Sequence, residues 1–292
     1  MAGLVAAARL RELGHAVRVL EKGARAGGSM LLSSCVVWRH LEWERFRAEC
    51  PGGDERLQRL IWERLDDALG WLESLGAEPV WRDTENPLTT GRRYDPRALT
   101  RLLVEAAGGA ELETPLAEDA EPPFVLATGG FAGRLARERG LLLRANPWSE
   151  GDGLDFAVAR GAATTAGMDE FYGRAMPAPP ARIREEDFVP LAQLIGPSAW
   201  YVVAATNDRI EAARAAGGTV LQRDEGIAVH VAAAVTHTIG GLQVDAQARV
   251  TGADGLWAAG VDAGGVATGG YASGLAQALV LGLAAAESIA AG

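Results

Sequence analysis

Cysteine is scarce in this 292-residue chain, with only Cys35 and Cys50 present. They form neither a disulfide framework nor a C-x-x-C pair, so both read as inert thiols in a reducing compartment, and a cytoplasmic address is expected. Positive charge is also short: 28 Lys and Arg stand against 38 Asp and Glu, for a net charge of -10. Nucleic acid and anionic membrane surfaces need clustered cations, so neither is an expected partner, and an ordinary acidic surface explains the balance. The opening apolar stretch is broken by Arg9, Arg11 and Glu12. It resembles neither a signal peptide nor a membrane span. No internal repeat, low-complexity tract or metal-ligand set is read.

What remains is a chain that is 48% hydrophobic with 37 glycines, enough to bury a full core in one large or two modest domains. The first residues, MAGLVAAARLRELGHAVRVLEKGARAGGS, predict a helix from Gly3, a break at Gly14 and His15, and an apolar strand over Ala16–Leu20 closed by Glu21. This is the second half of a dinucleotide-binding βαβ unit. The fingerprint G-x-G-x-x-G would have its third glycine at Gly3, where a helix packs closely on a strand, and its ribose-binding acid at Glu21. The first strand and first two glycines of that fingerprint do not precede it. A surface helix, a strand and a glutamate in any α/β protein give the same half-motif.

Further along, residues 39–105 carry helical periodicity at Leu57, Leu60, Ile61, Leu65, Leu69 and Leu72. FVLATGGFAG, at 124–133, reads as a buried strand running into a glycine turn, followed by a helix over 134–139. EGDGLDFAVARGAATT reads as a helix entered through a glycine-acid-glycine turn. Residues 171–225 are first proline-rich (Pro177, Pro179, Pro180, Pro190, Pro197), then helical, and end in a strand at 219–221, as a small inserted domain would. The last block, from HTIGG onward, predicts two short strands, a glycine-rich loop and a long Ala/Leu helix.

The ordered set EKGARAGGS, ATGGF, GDGLDFAVARGA, HTIGGLQVD and GLWAAGVDAGG resembles the FAD-binding fold of the fumarate reductase, succinate dehydrogenase and 3-ketosteroid dehydrogenase family. The likeness runs over most of the chain. It implies an α/β protein: a Rossmann-like FAD-binding domain of the glutathione-reductase type over 1–170 and 228–292, its N-terminal strand missing, with a shortened α+β capping domain at 171–227. On that likeness Met1 reads as an internal position of a longer protein.

The resemblance also implies roles. FAD would meet Gly3, Glu21, Lys22, Gly27, Gly28 and Ser29 on the first block, and Ala127, Thr128 and Gly129 at the strand end. It would meet Asp152 in the glycine-acid-glycine turn, where the plain alternative is a helix N-cap. At the C-terminal end it would meet Gly260, Ser273 and Leu275, and Asp262 through a shifted loop where the family carries a glutamate. Ser29 stands where covalent members have a flavin-linking histidine, so FAD is expected to be held non-covalently.

For the reaction, His237 matches a histidine that binds substrate carboxylate in fumarate reductases. Tyr271 occupies the place of their substrate-clamping arginine, and Gly270 that of the neighbouring asparagine. Fumarate and succinate are therefore poor candidates, because the bidentate fork for a second carboxylate is lost. His237 and Tyr271 are the candidate catalytic pair for hydride transfer between flavin N5 and a carbon next to a carbonyl or carboxylate, as in an enone, ketone or acid. A structural histidine and a packing tyrosine are the plain alternatives. The family's general-acid arginine cannot be transferred onto Arg174, Arg182 or Arg184. Arg92, Arg93 and Tyr94 fit either a substrate wall or a solvated basic turn. Two rivals stay open: C–N or C–OH oxidation on the same scaffold, and a non-catalytic binding protein.

Overall fold

The computed structural model describes residues 1–84, 86–185, 188, 201–203, 207–224 and 226–292. Helices form where the apolar spacing and caps favour them. Asp54 accepts hydrogen bonds from the backbone N–H groups of Arg56 and Leu57, starting α3 (Glu55–Ser74), which buries Leu57, Ile61, Leu65, Leu69 and Leu72 on one face. Asp95 caps α4 (Pro96–Ala106) in the same way, with proline at its first turn. The other helices are α1 (Ala2–Glu12), α2 (Trp43–Glu49), α5 (Ala132–Arg139), α6 (Asp152–Val158), α7 (Asn207–Ala215) and α8 (Gly274–Ala290).

Ten strands are described, in three sheets. β1 (Val36–His40), β3 (Thr89–Tyr94) and β2 (Pro79–Trp81) form an antiparallel sheet, of which β2 and β3 lie inside the stretch 39–105 that the sequence reads for its helical periodicity. β4 (Phe124–Leu126) pairs in parallel with β10 (Leu256–Ala258), so the ATGG turn and the AAG turn leave the same sheet end side by side. The third sheet is organised by β9 (Gly226–Thr238), which is 13 residues long. Its C-terminal half lies between β5 (Leu142–Leu143) and β6 (Phe171–Pro177), and its N-terminal half pairs with β7 (Tyr201–Val203) and β8 (Val220–Arg223). The expected capping stretch thus contributes the strands β6, β7 and β8, with α7 packed near β9, to a sheet that β9 shares with the rest of the molecule. Pro190 and Pro197, on which part of that expectation rests, lie outside the described residues.

The segment 16–20 departs from expectation. It is not a strand; only Leu20 bridges, in parallel, to Glu111, and the main-chain bonds continue past it from Glu111 and Thr114 to Val19 and Glu21. A strand needs a hydrogen-bonded neighbour. The other flank of this segment faces a cleft whose opposite wall is β4, itself paired only with β10.

The core centres on α8, buried on nearly every side by α1 and α3. No helix among the described residues is long and apolar enough to cross a membrane. α1 comes so near that a Cβ on Gly282 would lie 2.8 Å from the Ala2 carbonyl oxygen and 3.1 Å from Val5 Cγ1. Gly282→Ala is therefore expected to destabilise the protein by about 1–2 kcal/mol: the overpacking cost of roughly 1–3 kcal/mol exceeds the ~1 kcal/mol that alanine gains over glycine in a helix. Urea unfolding of the two proteins measures it, and an unchanged or raised midpoint would show that the two helices part freely.

Candidate functional site

The starts of α1 and α8, the ends of β4 and β10, and the outer face of β9 converge on one cleft of about 1480 Å³. That volume exceeds the range typical of a pocket for one small molecule. At its first wall, Gly3 lets α1 approach β4, since a Cβ there would sit 3.3 Å from Ala127 Cβ. Glu21 and Lys22 follow on the segment bonded to Glu111–Thr114. Glu21 accepts from the Gly23 N–H at 2.8 Å, and Lys22 Nζ donates to Asp152 Oδ2 at 2.8 Å. Asp152 is therefore not the helix cap: Gly151 is, and Asp152 is the first residue of α6, paired with Lys22.

Gly27, Gly28 and Ser29 form the next turn, fixed to the opposite wall because Ser29 Oγ accepts from the Asn146 N–H at 2.9 Å. Ala127, Thr128 and Gly129 line the floor. Gly129 has φ 92°, and an added Cβ would meet Ser149 Oγ at 2.7 Å, so only glycine fits the turn. Gly260, Ser273 and Leu275 line the far end. Ser273 caps α8, its Oγ accepting from the Ala276 N–H at 3.3 Å. A helix start opening on a cleft favours negative charge there.

Of the residues expected at the cofactor, Asp262 is the one placed outside the cleft. It is 2% exposed, and its carboxylate accepts from Thr128 Oγ1 and the Gly129 N–H, each at 2.8 Å. Thr128 Oγ1 in turn accepts from the Gly153 N–H at 3.2 Å. Burial raises the Asp262 pKa, and these hydrogen bonds oppose the rise. Asp262 thus fixes the turn from behind. The expected direct contact fails because the loop after β10 coils into a short 3₁₀ turn, Gly260–Asp262, which directs this carboxylate inward.

His237 and Tyr271 do meet on one wall. Tyr172, opposite His237 in the β6–β9 register, lies between them: its ring is stacked on Tyr271 with centroids 4.0 Å apart, and 5.3 Å from the His237 imidazole. Trp38 from β1 closes the other side of Tyr271 at 5.6 Å. Arg144, Arg174 and Thr236 complete the wall. Burial, and then Arg144, lower the His237 pKa to about 4, so its imidazole is neutral at pH 7. Burial, and then Tyr271, push the Tyr172 hydroxyl up to about 12. Arg92, Arg93 and Tyr94 are not part of it: they lie on β3, where Arg92 pairs with Glu73 at 3.2 Å, Arg93 donates to the Ser34 carbonyl and Tyr94 is 1% exposed. Sequence reasoning missed Trp38, His40, Arg144, Asn146, Trp148 and Tyr172. The alternation of FYGRAMP, a strand with Tyr172 and Arg174 on one face, was the available signal.

Two orphaned polar atoms belong to residues that line the cleft beside its glycine turns, Asn146 Oδ1 near Gly28 and Ser149 Oγ at Gly129, both buried without a hydrogen-bond partner among the described residues. Together with the long cleft, the Glu21 carboxylate on its wall and two helix starts, they fit a dinucleotide cofactor.

Comparison with known proteins agrees with the resemblance read from the motifs. A family model described as NAD(P)-binding Rossmann-like domain matches residues 1–34, and one described as FAD binding domain matches residues 199–275. The search of curated proteins gives no match. Among solved structures, the open conformation of a flavocytochrome c3 fumarate reductase is similar at 19% identity, covering 99% of this chain and 76% of that one, with a TM-score of 0.74. The 3-ketosteroid-Δ4-(5α)-dehydrogenase of Rhodococcus jostii is similar at 20% identity over 99% and 94% of the two chains, TM-score 0.66. The 3-ketosteroid Δ1-dehydrogenase of Sterolibacterium denitrificans follows at 14% identity over 99% and 98%, TM-score 0.63. The fold is thus that of FAD-dependent oxidoreductases.

The depressed His237 pKa has a sign that stability measurements can read. The folded value near 4 lies below the ordinary 6.5, so the unfolded chain takes up this proton first and stability falls as pH drops from about 6.5 towards 4. His237→Gln removes that contribution. The parent is expected to lose about 1–3 kcal/mol more than this variant over the window, less than the full shift implies because the ring borders the cleft. Parallel urea melts at both ends of the window would show it; equal losses would mean that His237 titrates normally.

Proposed function

We propose that this protein is an FAD-dependent oxidoreductase that binds FAD without a covalent link and acts on a carbon–carbon bond next to a carbonyl or carboxylate. One observation carries the reading: the expected cofactor residues other than Asp262, drawn from five separated stretches, line one cleft, and the candidate catalytic residues His237 and Tyr271 stand on its wall beside the start of α8. Bound FAD would supply two-electron chemistry at its N5, exchanging a hydride with a substrate carbon.

The chain's own residues supply the rest. Gly3 and Glu21 would hold the diphosphate and adenosine ribose, and the turn Gly27, Gly28 and Ser29 would reach the flavin side. Ala127–Gly129, fixed by Asp262, would let backbone approach the cofactor, and the start of α8 would face the ring, favouring charge that accumulates there on reduction. Ser29 has no means of bonding covalently to the flavin as a histidine would. His237, neutral, and the Tyr271 hydroxyl would donate hydrogen bonds to a substrate oxygen as negative charge develops on it. Tyr172, stacked on the Tyr271 ring, and Trp38, tilted against it, limit the ways that ring can turn.

The purified protein is expected to be yellow and to release free flavin into the filtrate on denaturation; flavin remaining with the polypeptide would contradict the non-covalent assignment, and a colourless protein the whole reading. Tyr271→Phe and His237→Ala are each expected to cut turnover by ~100-fold or more while flavin content and melting temperature stay near the parent's. Substrates for that assay come from a screen of enones, ketones and carboxylates for flavin bleaching or reoxidation. Normal turnover in both variants, or loss of FAD together with activity, would make the pair structural.

A further inference from the structure

Several arginines of this protein are paired with an acid. Arg18 pairs with Glu111, Arg25 with Glu185, Arg134 with Asp155 and Arg137 with Glu150. Arg144 is the contrast. It follows β5, its N–H donating to the Val235 carbonyl of β9, and it is 6% exposed. Nη1 reaches Thr236 Oγ1 at 3.3 Å, Nε is buried without a partner, and no carboxylate among the described residues pairs with it. Arg174, on β6, shares the cleft wall: its guanidinium lies 5.4 Å from the Tyr172 ring centroid, also without an acidic partner among the described residues. Burial, and then Arg174, lower the Arg144 pKa to about 10.

A buried cation without a counter-charge is costly, and a second cation nearby adds to the cost, unless an anion completes the site. The acids that line the cleft are engaged elsewhere: Glu21 on the Gly23 N–H, Asp152 on Lys22 and Glu49 on Arg45. His237 and Tyr172 on the same wall are neutral. A guanidinium fork with an unused Nε–H edge matches a carboxylate in plane and in spacing. Tyr271 stands where the sequence resemblance puts a substrate-clamping arginine, so the cation of this wall comes from a different element, the strand side rather than the loop before α8.

We propose that Arg144, with Arg174, forms an anion subsite for a carboxylate of the substrate, which makes the substrate an α,β-unsaturated acid or its saturated counterpart rather than a neutral ketone. The assignment deepens the oxidoreductase reading and rests on it for the reacting bond, while the subsite itself rests on the two arginines. Arg144 sets specificity; His237 and Tyr271 stay beside the bond that reacts.

Isothermal titration calorimetry on the purified protein, with its own flavin, tests the subsite. The probes are crotonate and cinnamate, their neutral methyl ketones ethylideneacetone and benzalacetone, and inorganic phosphate. In at least one pair the acid is expected to bind about tenfold or more tightly than its ketone, and phosphate more weakly than that acid. Arg144→Met is expected to erase the preference for the acid and Arg144→Lys to keep part of it; exchange of a buried charge for an apolar chain of similar size leaves the fold in place, as far-UV circular dichroism would verify. Ketones binding as well as acids in both pairs, a preference that survives Arg144→Met, or phosphate binding more tightly than either acid would each overturn the proposal. Calorimetry reads binding with or without flavin: a colourless protein that still prefers acids refutes the cofactor reading alone, and a yellow protein with no such preference refutes the subsite alone.

Discussion

The packing of α1 against α8 is the constraint on which the cleft depends. Both helices begin at its edge, and the approach at Gly282 leaves no side chain between them, so the two helix starts are held at a fixed separation. α3 covers the other side of α8 with its leucine face. A helix buried this completely cannot tilt without disturbing several neighbours at once. The dipoles of α1 and α8 are thereby aimed into one space, which favours an anionic ligand or a group that gains negative charge.

A second level of fixation lies behind the glycine turn. Asp262 bonds Thr128 and Gly129, Thr128 accepts from Gly153, and Ser29 accepts from Asn146. Each bond links separate chain segments, so the walls of the cleft are braced by bonds between the residues that line it and, through Asp262, from behind. The cost is a carboxylate held in a buried setting that raises its pKa, offset by the hydrogen bonds it accepts.

The wall at the β9 end is of another kind. Two stacked tyrosines, a neutral imidazole and an indole form an aromatic surface, and two arginines interrupt it. The strand register places Tyr172 against His237, and the bulge after Tyr172 shifts the pairing before Arg174. Positive charge on an otherwise neutral wall distinguishes this site from one built only for apolar ligands. The steroid diones in complex with two of the similar proteins are such ligands, being uncharged.

Local pattern alone determined much of this. Leucine spacing and the caps Asp54 and Asp95 specify α3 and α4, because helix formation depends on residues within a turn or two of each other. Glycines and small residues at fixed offsets marked Gly3, Gly27–Ser29 and Ala127–Gly129, because close approach of backbone excludes side chains wherever it occurs. Pairing is not local. The segment 16–20 has the composition of a strand but lacks a partner on the cleft side, whereas Val36–His40 and Thr89–Tyr94 became strands by finding each other across some fifty residues. Asp262 shows the same limit, since its sequence neighbours suggested a cofactor contact and the turn geometry directed it to Thr128 instead. Arg144 has no local signature at all. Its isolation from every carboxylate among the described residues, and its nearness to Arg174 and Tyr271, exist only once β5, β6, β9 and the loop before α8 have come together, because the field at a charge depends on what surrounds it in space.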